Sequence, residues 1–125
     1  MILGIGTDLA RVERFARAQQ RHGQRFSRRL LGDAELVQFH DRAAPAAFLA
    51  KRFAAKEAFV KALGTGLRHG MRWTEVQVHN DALGRPSLRL SGRAQALAEA
   101  AGVKAVHLSL SDEADMAVAF VVLEG

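Results

Sequence analysis

The sequence predicts an α+β fold, and three observations carry that reading. Apolar residues alternate with polar ones in short runs, as in Val76 and Val78, Leu88 and Leu90, and Val106, Leu108 and Leu110. The stretch from Pro45 to Leu63 is instead continuous enough in apolar residues to make one long helix. The resulting order is strand, helices, hairpin, helix, hairpin. Helices clustered beside antiparallel strands define α+β rather than a repeating parallel unit.

Ile2 to Asp8 reads as the first strand. By the period of two, Leu3 and Ile5 point one way, while Gly4, Gly6 and Asp8 share the other side. Two glycines on one face let another backbone or a ligand approach closely, and Asp8 stands at the end of that face. Leu9 to about His22 reads as a helix with Val12, Phe15 and Ala16 on its apolar side, and Gly23 ends it. A short helix from Arg25 to Leu31 follows, then one opening at Asp33 as N-cap. Pro45 suits the first turn of the long helix, which stops at Gly64-Thr65-Gly66. Glu75 to His79 and Leu88 to Leu90 form a hairpin around the turn-rich segment Asn80 to Pro86. Gly92 to Ala101 is an alanine-rich helix stopped by Gly102. Val106 to Ser111 alternates, with His107, Ser109 and Ser111 on its polar face. Met116 to Leu123 is apolar on both faces, as expected of a central or doubly covered strand.

The 125 residues, 49% of them hydrophobic and 25% charged, fit one globular domain spanning residues 1–125 with a small core. No repeat, linker or low-complexity tract divides it. With no cysteine, disulfides and thiolate metal sites are excluded, and a reducing compartment is a natural setting. The first residues have no basic leader followed by a long apolar region, and no apolar stretch reaches the ~20 residues of a membrane helix. A soluble, cytoplasmic protein is the expectation. The net charge of +5 is concentrated: seven arginines and one glutamate lie between Leu9 and Gly32, while the rest of the chain carries eleven cations and twelve acids. Such a patch is either a solvated helix face or a surface that attracts an acidic partner.

The run Arg52 to Lys61 places three cations and one carboxylate in what otherwise reads as buried helix. Buried charge is costly unless paired. On an ideal helix Glu57 and Lys61 share one face, while Arg52 and Lys56 pair roughly 140° away, among Phe48, Phe59 and Leu63. Two readings stand. In one, Glu57 pairs with Lys61 on a solvated face and Asp8 caps the next helix. In the other, Asp8 and Glu57 hold Mg²⁺, a hard cation that takes carboxylates, waters and phosphates; Lys61 then neutralises phosphate charge beside it, and Arg52 and Lys56 take more distal phosphates. Gly64-Thr65-Gly66 is a helix stop or a phosphate-contacting turn, and lacks the ending of a P-loop.

These residues resemble the bacterial holo-acyl-carrier-protein synthases, the short-chain class of 4′-phosphopantetheinyl transferases. The likeness covers nearly the whole chain: Ile5-Gly6-Thr7-Asp8, Phe48 to Ala58 with Lys61, Gly64-Thr65-Gly66, Asn80-Asp81 to Gly84-Arg85-Pro86, and His107 to Glu113. The resemblance implies the fold of that family, an antiparallel sheet packed with helices around one long central helix, in trimers with sites between neighbouring subunits. It implies transfer of the phosphopantetheine arm of coenzyme A to a serine of apo acyl carrier protein, for fatty acid biosynthesis. It implies catalytic Asp8, Glu57 and Lys61, with Mg²⁺ on Asp8 and Glu57. Coenzyme A would meet Arg52, Lys56, Gly64, Thr65, Arg85, Pro86 and His107. Arg14, Arg21 and Arg25 would dock the acidic carrier. One departure is Asp112, where many relatives carry a histidine, so the base that deprotonates the serine is not carried over: metal-bound water, Asp112 and Glu57 all remain open.

Two other readings compete. A nucleic-acid-binding module would use the arginine patch, but an aromatic content of 6% without tyrosine offers few stacking platforms. A relative that binds coenzyme A and carrier without catalysis is the third.

Overall fold

The computed structural model describes residues Met1 to Gly125. Strand β1 runs from Ile2 to Arg11, past the Asp8 at which the sequence pattern ends it. Leu9, Ala10 and Arg11, expected to open a helix, pair instead with Val118, Ala117 and Met116 of β5 (Met116–Glu124). Ladder hydrogen bonds and burial of Ala10 at 2% exposure outweigh local helix preference there. Asp8 is therefore a mid-strand residue facing inward, not a helix cap; Arg11, still extended, precedes α1 (Val12–His22). Helix α2 spans Gln24–Leu30 and α3 spans Asp33–Phe39. Asp33 is the first residue of α3, and Gly32 is its N-cap, with the Gly32 amide donating to Glu35 Oε1 at 3.0 Å.

Helix α4, Pro45–Leu63, starts on proline and stops at Gly64 in the left-handed region (φ 83°). It is buried on most of its circumference, as expected of a helix without one polar face. After a single 3₁₀ turn, Trp73–Glu75, strands β2 (Val76–Asn80) and β3 (Pro86–Leu90) form the expected hairpin. Helix α5 (Gly92–Ala100) leads to β4 (Ala105–Glu113), which returns through β5. The main sheet has the order β1-β5-β4, all antiparallel, so the strand that is apolar on both faces is central.

One face of this sheet carries Ala117, Ala119, Val121 and Leu123 against α4, all nearly fully buried. Gly4 and Gly6 lie on that face, and a Cβ on either would overlap the carbonyl oxygen of Ala62 or Ala58. The close approach expected of the glycines is thus to the α4 backbone. The opposite face is open in the single chain: Ile5, Leu9 and Phe120 are 61%, 66% and 46% exposed.

Adding one methyl at Gly6 must push α4 away from β1. Gly6→Ala is expected to lower stability by about 1–3 kcal/mol, with an unchanged denaturant slope. A variant as stable as its parent would show that the helix can retreat freely.

Candidate functional site

The inward face of β1 delivers Asp8 to the last turns of α4. Lys61 Nζ donates to Asp8 Oδ1 at 2.9 Å and to the Thr7 carbonyl at 3.1 Å. Lys61 therefore pairs with Asp8, across the elements, and not with Glu57 as the solvated-face reading expects. The second oxygen of Asp8, Oδ2, is buried without any hydrogen-bond partner. Glu57 projects into the same neighbourhood. Partial burial first, and then the Asp8 charge, raise its pKa above the ordinary carboxylate range, with Lys61 and Arg14 opposing. Asp8 opposes ionisation of Glu57 and itself carries an orphaned oxygen, so the two carboxylates offer hard oxygens to a cation.

Arg52 and Lys56 lie elsewhere, on the other side of α4. Their partner is Glu35 of α3, which the sequence reading did not single out. Lys56 Nζ is completely buried and donates to Glu35 Oε1 (2.6 Å), the Leu30 carbonyl (2.6 Å) and the Trp73 carbonyl (3.0 Å). All three of its protons are used within the fold, where it ties elements together. Burial pushes its pKa down to about 8 against the opposing pull of Glu35. Arg52 is also buried, with Nη2 donating to Gln38 Oε1 at 2.9 Å and Asn80 Oδ1 at 3.1 Å. Its Nε approaches Glu35 Oε2 only to 3.7 Å and makes no hydrogen bond. The expected open phosphate-binding cation is, in this chain, enclosed. Glu35 Oε2 also accepts from the Val78 amide at 3.0 Å. The Glu35–Lys56 pair thus ties α2, α3 and the β2–β3 hairpin to α4. The signal that could have found it is the buried cation pair itself, which required a carboxylate from another element.

The Gly64 amide donates to the Val60 and Lys61 carbonyls and that of Gly66 to Val60, while Thr65 Oγ1 donates to the Gly66 carbonyl. This segment acts as a helix stop, and its glycine amides are not free for a phosphate. Arg85 is exposed in the hairpin turn and Pro86 opens β3. His107 projects from the open outer face, in register with Val122 and Ile5, and pairs with Glu124 at 3.0 Å. The single chain does not bring it to Asp8 and Glu57. Asp112 pairs with Lys51 at 3.7 Å, and Lys51 lies roughly 9 Å along the helix axis from Glu57.

Arg14 and Arg21 are exposed on α1 and Arg25 on α2. The Arg14 guanidinium stacks over Phe53 at 5.1 Å and also lies near enough to Glu57 to act on its charge. With Arg29, it borders a cavity of ≈ 420 Å³ walled by Phe15, Phe26, Phe53 and Trp73. Arg29, rather than Arg25, is the α2 arginine at this cavity.

An α+β sheet wrapped on one central helix, with two carboxylates and a lysine where the first strand meets that helix, is the frame of a phosphopantetheinyl transferase. The family model of the 4′-phosphopantetheinyl transferase superfamily matches residues 4–121, and the chain belongs to that superfamily. It is 54% identical to the holo-[acyl-carrier-protein] synthase of Halorhodospira halophila over 98% of each chain. Its identity to that of Laribacter hongkongensis is 52% over the full length of both. Its structure is similar to the crystal structure of the Neisseria meningitidis synthase, with TM-score 0.93 and 44% identity over all of both chains. It is also similar to the Bacillus anthracis synthase solved in complex with CoA (3′,5′-ADP), with TM-score 0.81 and 34% identity over 98% of this chain and 96% of that one.

Because the native pocket raises the pKa of Glu57, the native state holds that proton more tightly than the unfolded chain does. Stability then falls as pH rises through the native pKa, and the ionised carboxylate is a net cost at neutral pH. Without metal, Glu57→Gln is expected to melt above its parent at about pH 7.5, with the difference closing as pH falls through the native pKa toward the ordinary carboxyl range and Glu57 takes up its proton. A parent that melts as high as the variant at neutral pH would remove the electrostatic strain.

Proposed function

We propose that this chain transfers the 4′-phosphopantetheine arm of coenzyme A to a serine of an apo acyl carrier protein, releasing adenosine 3′,5′-bisphosphate. The observation that carries the reading is the junction of Asp8, Glu57 and Lys61, combined with family membership over nearly the whole chain. The absence of cysteine suits a cytoplasmic site of action.

The donor set fits Mg²⁺: two carboxylates, hard oxygen ligands, with the Asp8 Oδ2 lone pairs unclaimed by the protein. Asp8 and Glu57 would hold the ion, and a bound Mg²⁺ supplies neutralisation of pyrophosphate charge. Lys61 fixes the orientation of Asp8 through one oxygen and leaves its half-exposed ammonium beside the space a pyrophosphate would fill. In the transfer, the serine oxygen forms a bond to the phosphorus next to the pantetheine arm. The bond from that phosphorus to the bridging oxygen breaks, and the bridging oxygen leaves with the electron pair. Lys61 stabilises the charge gathering there. The serine proton goes to a carboxylate. Of this chain's own acids Glu57 lies at the junction with Asp8 and Lys61, whereas Asp112 lies 3.7 Å from Lys51 further along the helix.

Docking of the carrier uses the arginine face of α1 and α2. Arg14, Arg21 and Arg25 offer exposed cations to an acidic helix, and the aromatic cavity beside Arg14 and Arg29 can seat an apolar side chain projecting from it. The expected result is a carrier that gains the mass of one phosphopantetheine when incubated with coenzyme A, Mg²⁺ and this protein. Asp8→Asn should lower turnover at least about 100-fold while remaining folded, and Arg14→Glu should raise KM for carrier but not for coenzyme A. No mass gain with several carriers would leave a binding-only relative.

The open outer sheet face supports assembly with further copies of this chain, as a trimer. Ile5, Leu9 and Phe120 form an apolar surface around a central strand whose other face is already core. His107 lies on that surface, so assembly would carry it to a neighbour's site, where it can meet a coenzyme A phosphate. Phe120→Asp is expected to give monomers in sedimentation velocity. A variant that sediments like its parent would remove this face from the assembly.

A further inference from the structure

Arg52 is joined to the hairpin turn in a way that the reaction above leaves unused. Its guanidinium lies over Phe48 at 4.2 Å and is 3% exposed. On the inner side it faces Glu35, and on the outer side Nη2 donates to Asn80 Oδ1 at 3.1 Å. Asn80 passes the link on: its Nδ2 donates to the Gly84 carbonyl at 3.1 Å. The turn is closed from within by Asp81, whose Oδ1 accepts from the Leu83 and Arg85 amides at 2.9 and 2.8 Å. A continuous polar path therefore runs from the buried core to the segment that presents Arg85 and Pro86.

We propose that Arg52 is a positioning residue, a strut that fixes the 81–85 turn through Asn80 and does not itself bind a ligand phosphate. The inference rests on the reading that coenzyme A lies with its nucleotide end at Arg85 and Pro86. Both bonds come from one nitrogen, Nη2, at the far end of a guanidinium whose centre lies 4.2 Å from the Phe48 ring centroid. Swinging it out to a phosphate would break both bonds and leave Glu35 with one cation fewer. Lysine, a flexible point charge, keeps the charge but ends about one bond short of the Nη2 position. Asn80 is exposed, so its replacement severs the strut at the outer end without touching the core.

The test uses Asn80→Ala, Arg52→Lys and the double variant. Each is assayed with coenzyme A and with dephospho-coenzyme A, which lacks the 3′-phosphate. Amide exchange of residues 81–85 is measured without ligand. Each single variant should raise KM for coenzyme A about tenfold and leave kcat and the carrier KM within about twofold. The double variant should be no worse than the worse single, because both cut one path. Dephospho-coenzyme A should lose the same factor, and the Leu83 and Arg85 amides should exchange at least about tenfold faster. Unchanged exchange in Asn80→Ala overturns the strut, as does a loss in Arg52→Lys that appears with coenzyme A and vanishes with the dephospho form. If Arg52→Lys does not fold, Asn80→Ala decides alone. Absence of transfer by the unaltered chain would end the functional reading, whereas the exchange rates of Asn80→Ala would still support or overturn the strut.

Discussion

The site depends on how closely α4 can lie against β1. Side chains on both elements would hold their backbones several ångströms further apart, and Lys61 would no longer bridge to Asp8 and the Thr7 carbonyl. Gly4 and Gly6 remove the obstruction on the strand, and Ala58 and Ala62 keep the helix narrow where they meet. Because the sheet period is two, the residue that follows the glycines on the same face is Asp8. Packing and chemistry are therefore one feature of the sequence: the face that must be small to admit the helix is the face that ends in the carboxylate. The price is electrostatic. The approach buries one Asp8 oxygen without a partner and partly desolvates Glu57, which the fold tolerates because the remaining contact between helix and sheet is apolar and nearly complete.

The opposite side of the same helix solves a different problem. Lys56 and Arg52 are as buried as the leucines around them, and buried cations without a counter-charge cost several kcal/mol each. Glu35 supplies the counter-charge, and its remaining acceptor capacity goes to two backbone amides, Gly32 and Val78. Well-packed apolar residues could match such a cluster in stability. What they could not supply is direction: each hydrogen bond names one element and one height along α4. The α2–α3 junction, the Trp73 turn and the hairpin are each held by a separate hydrogen bond of this group. The end of α2, the start of α3 and the β2–β3 hairpin take their positions against α4 from it.

Much of this was legible in the chain. The period-two pattern gave the glycine face and Asp8, the helix stop at Gly64 was explicit, and β5, apolar on both faces, had to be central. The i, i+4 arithmetic separated Glu57 and Lys61 from Arg52 and Lys56 correctly, yet it could not say which carried out binding and which held the fold. That distinction needs the partner, and Glu35 sits in a short helix whose local pattern carries no hint of burial. The strand end was misjudged for a related reason. Leu9 to Arg11 suit a helix by themselves, and only the full length of β5, nine residues seeking a neighbour, draws them into the sheet. Resemblance supplied ligands and roles for residues whose surroundings in the fold then sorted them: Lys56 to the interior, Asp8 and Lys61 to the junction, His107 to the far face.

That sorting also leaves one face of the sheet uncovered in the single chain. A strand with apolar side chains on both faces needs two covers, and α4 is only one of them. The exposed side of β5 and β1 presents large apolar groups in a row, a surface that a 125-residue domain does not ordinarily leave to water. His107 stands on that uncovered side, separated from Asp8 by the thickness of the sheet, because adjacent residues of a strand alternate faces and no side-chain rotation carries one through the backbone. If His107 serves the transfer at all, it serves the site of another copy. The uncovered face and the position of His107 are independent observations, one of packing and one of chemistry, and the proposed association through the outer face of the sheet would account for both.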